Sequence, residues 1–254
     1  VLAEMMPYLT DNFGNPSSIH EYGRKAKAAV EKSRKIVAKY LNASAAEVFF
    51  TSCGTESNNM VIKQAVANLG VKRIISSPTE HHCVLHTVKT EGSKGVAVDY
   101  VQVNAKGDID VAHLETLLAA QPETKTLVSL MHANNEIGTI LNIQHVGEIC
   151  AKYGALFHSD SVQTVAHYPM DVQATKVHFL SGSAHKFHGP KGIGFVYING
   201  NNAIKPLIEG GAQERNMRAG TENVVGIVGL GKALELWMME GEQYRTHIES
   251  IRDY

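Results

Sequence analysis

Short apolar segments alternate with helix-like segments of ten or more residues along most of this chain, and this alternation restricts its fold more than any other feature. The predicted strands lie at residues 48–53, 73–77, 96–103, 126–132, 156–160, 177–182 and 194–200. The predicted helices lie at residues 19–41, 55–70, 81–92, 111–121, 143–154 and 223–240. Because strands joined by helices of this length form βαβ units, we predict an α/β fold with a mostly parallel sheet that helices cover on both faces.

The composition of the 254-residue chain narrows the classes of function. The chain is 44% hydrophobic, and its formal net charge of −1 gives no electrostatic reason to expect binding to nucleic acid or to a membrane surface. No apolar run reaches the ~20 residues that span a bilayer, and no signal peptide is recognisable. The three cysteines, Cys53, Cys83 and Cys150, have no CxxC spacing, so we expect a reducing, cytoplasmic setting.

Polar residues directly follow five of the predicted strands. They are Cys53 to Thr55, Glu80 with His81, Asn134 with Asn135, Asp160 with Gln163, and Ser183 to Lys186. Ligands of α/β proteins bind at the carboxyl ends of the parallel strands, which meet at one edge of the sheet. We therefore expect these residues to converge on one site, and their convergence carries more weight than any single residue.

Two of these residues suit chemistry on a carbonyl compound. Lys186 lies in the segment SGSAHKFHGPKG at residues 181–192, and a lysine amine can form a Schiff base. Asp160 follows an apolar strand, where a carboxylate is costly unless it has a cationic partner such as a pyridinium nitrogen. A lysine Schiff base and an aspartate on a ring nitrogen are together the protein's half of pyridoxal 5'-phosphate (PLP) chemistry.

Other strand-end residues offer contacts to a phosphate group. Gly54 and Thr55 open a helix that Ser57 is expected to cap, and the free N–H groups at a helix start bind phosphate. The glycine lets the backbone approach a ligand closely. Ser183 and His185, next to Lys186, can donate further hydrogen bonds.

Three more residues offer contacts to a ring. His81 begins a helix and can stack on an aromatic ring or carry a proton. Gln163 and Asn135 can form hydrogen bonds with ring substituents or with an imine.

Each residue also has a structural interpretation when it is taken alone. Lys186 can be a solvated loop lysine, Asp160 a helix cap, and residues 134–135 a turn. The spacing around the lysine is not the G-x-x-x-x-G-K-[ST] pattern, which argues against a nucleotide site of that kind. His82 and His86 lie one helical turn apart, but no carboxylate or third histidine follows at ligand spacing, so we predict no metal site.

Seven segments closely resemble the NifS/IscS-type cysteine desulfurases of the class-V aminotransferase family. The segments are NFGNPSSIH (12–20), FTSCGTESNN (50–59), TEHHCVLHT (79–87), MHANNEIGT (131–139), HSDSVQTV (158–165), SGSAHKFHGPKGIG (181–194) and GGAQERNMRAGTENV (210–224). They occur in the family's order across nearly the whole chain. The resemblance implies the aspartate-aminotransferase fold (PLP fold type I) and conversion of L-cysteine to L-alanine, with the sulfur left as a persulfide on an enzyme cysteine.

The resemblance implies a role for each residue around the cofactor ring. Lys186 matches the Schiff-base lysine, and Asp160 matches the carboxylate at the pyridine nitrogen. Gln163 matches the partner of the ring hydroxyl. His81 matches the histidine that stacks on the ring and is a candidate proton carrier. Asn135 matches an asparagine on the cofactor and substrate side.

The resemblance also implies contacts to the cofactor phosphate. The matching residues are Gly54, Thr55, Ser183 and His185. Thr221, in the segment RAGT, matches a residue that reaches the phosphate from the neighbouring subunit. The resemblance therefore implies a homodimer with shared sites.

Two departures from the family pattern concern cysteines and domains. The family usually reads S-G-A-T where this chain has Ser52-Cys53-Gly54-Thr55, which adds a thiol beside the phosphate loop. The family's persulfide cysteine lies well over 100 residues after the lysine, so we expect it outside this chain. The resemblance assigns residues 1–235 to a PLP-binding large domain without its N-terminal segment. It assigns residues 236–254 to the start of a linker helix that leads to a C-terminal small domain, and we expect the chain alone to be inactive.

Other activities remain open from the sequence. Selenocysteine lyases and cysteine sulfinate desulfinases share the same cofactor residues, so these segments do not separate them. A non-catalytic sulfur-transfer scaffold is a further alternative, although the presence of Lys186, Asp160, His81 and Gln163 argues against it. The partners that the resemblance implies are L-cysteine and sulfur-acceptor proteins such as an iron–sulfur scaffold.

Overall fold

A seven-stranded sheet forms the centre of the computed structural model, which describes residues 1–202 and 204–253. Its strands are β1 (Val48–Thr51), β2 (Arg73–Ser76), β3 (Ala97–Tyr100), β4 (Thr126–Ser129), β5 (Leu156–Asp160), β6 (Phe179–Ser183) and β7 (Gly194–Ile198). The helices are α1 (Leu2–Met5), α2 (Pro7–Thr10), α3 (Glu21–Leu41), α4 (Gly54–Leu69), α5 (His82–Ser93), α6 (Val111–Ala120), α7 (Ile143–Lys152), α8 (Gln213–Asn216) and α9 (Val224–Arg252). Two 3-10 turns lie at Ala45–Glu47 and Ala184–Phe187.

The structure confirms the predicted strands and helices and differs mainly at their ends. The predicted strand at 126–132 ends at Ser129, where the chain leaves the sheet. The predicted helix at 223–240 continues to Arg252. Gly241 lies inside the helix and leaves room for the Trp237 ring, which a Cβ would meet at 2.5 Å. Three further helices, α1, α2 and α8, have four residues each, too few for apolar periodicity to predict.

Helix α9 crosses residue 235 without a break. The predicted boundary between residues 1–235 and 236–254 thus lies within one helix, and the division into two domains stays a prediction. Tyr254 lies outside the described residues. In the part of the chain that the structure covers, no helix is long and apolar enough to cross a membrane.

One reversed strand, β7, determines which strand ends lie at each edge of the sheet. The strand order is β1-β7-β6-β5-β4-β2-β3. Strand β7 is antiparallel to both of its neighbours, β1 and β6, and the other pairs are parallel. Because β7 alone is reversed, β1 runs in the same direction as β2 to β6. The sheet is therefore mostly parallel, as predicted, and six strands have their carboxyl ends at one edge.

The two faces of the sheet bury separate cores. Neighbouring strand residues alternate between the faces, so that Leu127 and Leu156 lie in one core while Val128 and Phe157 lie in the other. Helices α4 and α5 pack on the first face, and α3, α6, α7 and α9 pack on the second. The helices therefore cover both faces, and a sheet of this kind can bind a ligand only at its strand ends.

A buried ion pair fastens α8 to α3 and β1. Arg34 and Glu214 form two hydrogen bonds of 2.6 and 2.8 Å, and each side chain is 3% exposed. The Glu214 carboxylate also accepts a hydrogen bond of 2.8 Å from the backbone N–H of Phe50. Glu214, Arg215 and Asn216 have φ values of 45°, 57° and 65°, which are costly for residues with a side chain. The ion pair offsets this cost and keeps the strained turn against β1.

Glu214→Gln should lower the free energy of unfolding of the full-length protein by about 3–5 kcal/mol, because it leaves the Arg34 charge buried without its partner. Urea denaturation followed by circular dichroism measures the change. The matched control is Glu21→Gln, which removes an exposed ion pair with Lys25 on α3 and should leave the free energy of unfolding nearly unchanged, because water screens exposed charges. Similar losses in the two variants would contradict the role given to the buried pair.

Candidate active site

The strand ends that carry the candidate residues meet at one edge of the sheet. Thr51 at the end of β1 and Ser183 at the end of β6 both pair with Gly194, the first residue of β7. Asp160 at the end of β5 pairs with Ser181. The loops that follow β1, β2, β4, β5 and β6 therefore start side by side, as the sequence predicts. The roles of their residues stay predictions.

Asp160 is one of two deeply buried carboxylates at this edge, the other being Glu80. Asp160 is 6% exposed, and its carboxylate accepts hydrogen bonds from the Asn58 side-chain amide at 2.6 Å and the Val162 backbone N–H at 3.1 Å. Burial raises the pKa of Asp160, and these two hydrogen bonds oppose the rise, followed by the charges of His81 and Lys186. Among the described residues, no cationic side chain lies within 4.0 Å of the carboxylate. A positively charged ring nitrogen fits this position.

Lys186 lies on the 3-10 turn that follows β6, three residues after Ser183. The turn ends at His188, whose φ of 65° is left-handed and whose backbone N–H bonds to the carbonyl of Ala184. Nε2 of His167 lies 3.0 Å from the Lys186 carbonyl oxygen, which ties the turn to the loop after β5. The half-buried lysine is therefore held beside the loop that begins at Asp160, close enough for its charge to lower the pKa of that carboxyl.

Gly54 begins α4 at a point where there is no room for a side chain. A Cβ on this residue would lie 2.5 Å from Cγ2 of Val162 in the loop after β5. The N-cap residue, Cys53, makes no side-chain hydrogen bond to the helix. Our prediction that Ser57 caps α4 is wrong, because its buried hydroxyl lies against the carbonyl oxygens of Cys53 and Phe195, at 3.2 and 3.1 Å, and donates to one of them instead. The helix start has no side-chain cap, and such N–H groups bind anions.

Ser183 and His185 lie beside this helix start. The Ser183 hydroxyl is 2.9 Å from Nδ1 of His185, and its Cβ would be 3.7 Å from a Cβ on Gly54. Burial lowers the pKa of His185, and the positive charges of Lys186 and Lys191 lower it further. Thr55, the second residue of α4, is exposed. A phosphate at this point would meet N–H groups, hydroxyl groups and a histidine ring.

His81 is the N-cap of α5 through its ring. Nδ1 of the ring accepts a hydrogen bond of 3.2 Å from the Cys83 backbone N–H, and the same nitrogen lies 3.0 Å from the Cys83 sulfur. The ring is exposed at the sheet edge. The position of His81 at the start of a helix agrees with the prediction. The sequence analysis did not predict either contact to Cys83.

Asn58 is the main site residue that sequence reasoning missed. It is fully buried on α4, and its amide nitrogen contacts the Asp160 carboxylate at 2.6 Å and the Cys83 sulfur at 3.2 Å. Its side-chain oxygen has no hydrogen-bond partner among the described residues. The sequence spacing could have predicted its place at the site, because Asn58 lies four residues after Gly54 and therefore on the same face of α4.

Two side-chain contacts join the loops that follow β2 and β4. Glu80 accepts a hydrogen bond of 2.8 Å from the Met131 backbone N–H, and Asn134 donates one of 2.7 Å to the carbonyl of Thr79. The second carboxyl oxygen of Glu80 is buried without a partner in the described structure. Burial raises the pKa of Glu80 well above its ordinary value, and the charge of Asp160 adds to the rise. Sequence reasoning placed Glu80 at a strand end but did not predict its contact.

Gln163 and Asn135 lie on a larger cavity at the same edge. The cavity measures about 790 Å³ and is also lined by His167, Tyr168 and the second half of α9. Thr221 lies elsewhere, in the segment between α8 and α9, where it lines a cavity of about 210 Å³ with Ser52 and Gly192. Thr221 is exposed.

His82 and His86 lie one helical turn apart on α5. Their ring centroids are 5.4 Å apart. In residues 1–202 and 204–253, no group of three His, Cys, Asp or Glu side chains is placed to hold a metal ion.

The comparisons with known proteins agree with this fold. Residues 1–254 match the family described as Aminotransferase class-V. A cysteine desulfurase IscS from Dictyoglomus turgidum is 46% identical over 256 residues, which cover 100% of this chain and 64% of that protein. A solved NifS-like protein has a TM-score of 0.94 and 43% identity, and the match covers 99% of this chain and 69% of that one. The solved structure of SspA in complex with cysteine has a TM-score of 0.87 and 39% identity, covering 92% and 68% of the two chains.

The sheet, its covered faces and the polar edge define a PLP fold type I domain. The chain belongs to the class-V aminotransferase family. These matches confirm the resemblance to the NifS/IscS-type proteins and the predicted fold. The chain spans 64% of the length of the curated relative from Dictyoglomus turgidum.

Glu80→Gln should flatten the pH dependence of stability of the apo-protein. Because the folded pKa of Glu80 is raised, the native state holds a proton that the unfolded state loses, and stability falls as pH rises above the ordinary value of 4.5. The variant should lose this slope, which is at most about 1.4 kcal/mol per pH unit for one group. Urea denaturation between pH 5 and 8 measures it. Glu123→Gln, at an exposed carboxylate, is the control, and equal slopes in wild type and Glu80→Gln would contradict the prediction.

Proposed function

We propose that this chain forms the cofactor site of a PLP-dependent cysteine desulfurase. The whole protein would convert L-cysteine to L-alanine and transfer the sulfur to an enzyme cysteine as a persulfide. The observation that carries the proposal is the Asp160 carboxylate. It is buried at the end of β5 with two hydrogen-bond donors, and no cationic side chain of the described residues lies within 4.0 Å of it. The relatives named as cysteine desulfurases support the choice of reaction.

The residues at the sheet edge fit the parts of PLP. When bound, PLP supplies a carbonyl group that condenses with amines and a ring that delocalises negative charge. Asp160 would hold the ring nitrogen in its protonated form, and Gln163 would bond to the ring hydroxyl. The N-terminus of α4 at Gly54 and Thr55 would bind the phosphate, because its N–H groups lack a side-chain cap.

Lys186 would have two roles, one in holding the cofactor and one in moving a proton. Its amine would hold the carbonyl carbon of the cofactor and, once the amine of the substrate has replaced it, would be free to take the proton from the substrate Cα. His81 would stack on the ring and carry a proton, and Asn135 would contact the substrate side. Ser183 and His185 would add contacts to the phosphate, since the pair lies beside the start of α4.

The persulfide cysteine of this proposal lies outside the chain. A thiol attacks as its thiolate, so the nucleophile needs an ordinary or lowered pKa. Burial raises the pKa of Cys150 to about 12 and that of Cys83 to about 11, which disfavours both. Cys53 lies at the start of α4, where the phosphate would bind, rather than on a mobile segment.

We further propose a homodimer in which Thr221 of each subunit contacts the phosphate held by the other. The exposed position of Thr221, on the segment that precedes α9, supports this arrangement. A sulfur-acceptor protein such as an iron–sulfur scaffold would take the sulfur. A reducing compartment such as the cytoplasm suits the three free cysteines.

Lys186→Ala should abolish the visible absorbance band of the full-length protein with PLP, because no amine is then left to hold the carbonyl carbon. Absorbance spectroscopy before and after borohydride reduction measures it. Lys191→Ala is the matched control, since Lys191 is an exposed lysine of the same segment and should leave the band unchanged. A reducible band that persists in Lys186→Ala would defeat the assignment.

The substrate is tested with the same full-length protein. L-cysteine should bleach the band and yield equal amounts of alanine and transferable sulfur, as measured by amino-acid analysis and a sulfide assay with a thiol reductant. If the band changed with selenocysteine or cysteine sulfinate but not with L-cysteine, the proposed substrate would be wrong and the cofactor assignment would stand. A colourless wild-type protein would overturn the cofactor as well.

A further inference from the structure

Two side chains, Cys83 and Asn58, connect the His81 ring to the Asp160 carboxylate. The Cys83 sulfur lies 3.0 Å from Nδ1 of His81, and Asn58 contacts both that sulfur and the Asp160 carboxylate. We propose that Cys83 is a positioning residue, whose thiol sets the hydrogen-bonded state of His81 and links it through Asn58 to Asp160. This inference rests on the proposed function, in which His81 and Asp160 contact the cofactor.

The direction of each hydrogen bond follows from Asp160. An ionised carboxylate only accepts hydrogen bonds, so the Asn58 amide must present its NH₂ group to Asp160. The same nitrogen lies 3.2 Å from the Cys83 sulfur, to which it donates its second hydrogen. The Asn58 oxygen is then buried without a partner in the described structure, which costs free energy. The opposite amide orientation would instead leave the Asp160 carboxylate without this donor.

The thiol hydrogen is then directed at His81. With its sulfur accepting from Asn58, the Cys83 S–H is free to donate to Nδ1 of the ring. The Cys83 backbone N–H donates to the same nitrogen at 3.2 Å. Two donors at Nδ1 place the ring proton of neutral His81 on Nε2, the nitrogen that Cys83 does not contact.

The Cys83 thiol can also accept a hydrogen bond from Nδ1, which a backbone N–H cannot do. If His81 takes up a proton, Nδ1 becomes a donor, and the neighbouring backbone N–H cannot accept from it. The Cys83 sulfur can, because a thiol both donates and accepts. Of the two contacts that Nδ1 makes among the described residues, the Cys83 sulfur is the one that suits both the neutral and the protonated ring.

The surroundings keep Cys83 in its thiol form. Burial raises its pKa to about 11, the hydrogen bonds from Asn58 and Thr55 oppose the rise, and the negative charge of Asp160 adds to it. A protonated sulfur is the state that can donate to His81. The same surroundings make Cys83 a poor nucleophile, so its placement beside the ring is not explained by sulfur transfer.

Substitutions at position 83 separate a hydrogen bond from simple packing. Serine and alanine are both smaller than cysteine, but only serine can donate to and accept from Nδ1. In the full-length protein with PLP, Cys83→Ala should lower kcat for L-cysteine about tenfold with KM changed less than threefold, and Cys83→Ser should stay within threefold of wild type. The Kd for PLP, measured by absorbance titration, should change less than threefold in both. Cys150→Ala, which removes a buried thiol of α7, should leave kcat unchanged.

A second measurement does not depend on catalysis. In the apo-protein, the effects of His81→Ala and Cys83→Ala on the unfolding equilibrium constant should be non-additive by about fivefold, since each substitution removes the same contact. Additive effects, or a Cys83→Ser variant as slow as Cys83→Ala, would overturn the inference. A wild-type protein without a PLP band or without turnover would instead overturn the proposed function, while a non-additive apo cycle would still support the contact between Cys83 and His81.

Discussion

The burial of a carboxylate at the end of β5 is the constraint on which the rest of the site depends. Asp160 is held away from water by the sheet and by α4, so every group near it must either donate a hydrogen bond or carry positive charge. Asn58 and Val162 meet the first requirement, and His81 and Lys186 lie near enough to contribute to the second. The sheet edge is therefore arranged around one negative charge, and a cationic ring is the ligand that completes it.

Much of this arrangement can be predicted from the sequence, because it follows from periodicity and chain order. The strands and helices alternate with clear apolar patterns, and a parallel sheet places strand ends together whatever the details of packing. The positions of Asp160, Gly54 and Lys186 at one edge follow from that topology. Their residue types then indicate the chemistry of the ligand.

The features that were missed depend on contacts between segments distant in sequence. No local pattern shows that β7 is reversed, that Glu214 reaches Arg34 on α3, or that Asn58 meets Asp160. The prediction that Ser57 caps α4 was wrong for the same reason, since its hydroxyl has a buried acceptor on β7 that only the folded chain provides. Local rules thus predict elements well, and they fail where a polar side chain has a partner from another element.

The unbroken course of α9 has a mechanical consequence. Its first half is anchored in the core by Ile227, Leu230 and Leu234, and its second half forms a wall of the cavity that Gln163 lines. Sharp kinks in helices need a proline, a glycine–serine pair, a π-bulge or an insertion into the hydrogen-bond ladder. Helix α9 has no proline and runs unbroken from Val224 to Arg252. We therefore expect a displacement of its far end, near Arg252, to shift the wall of this cavity.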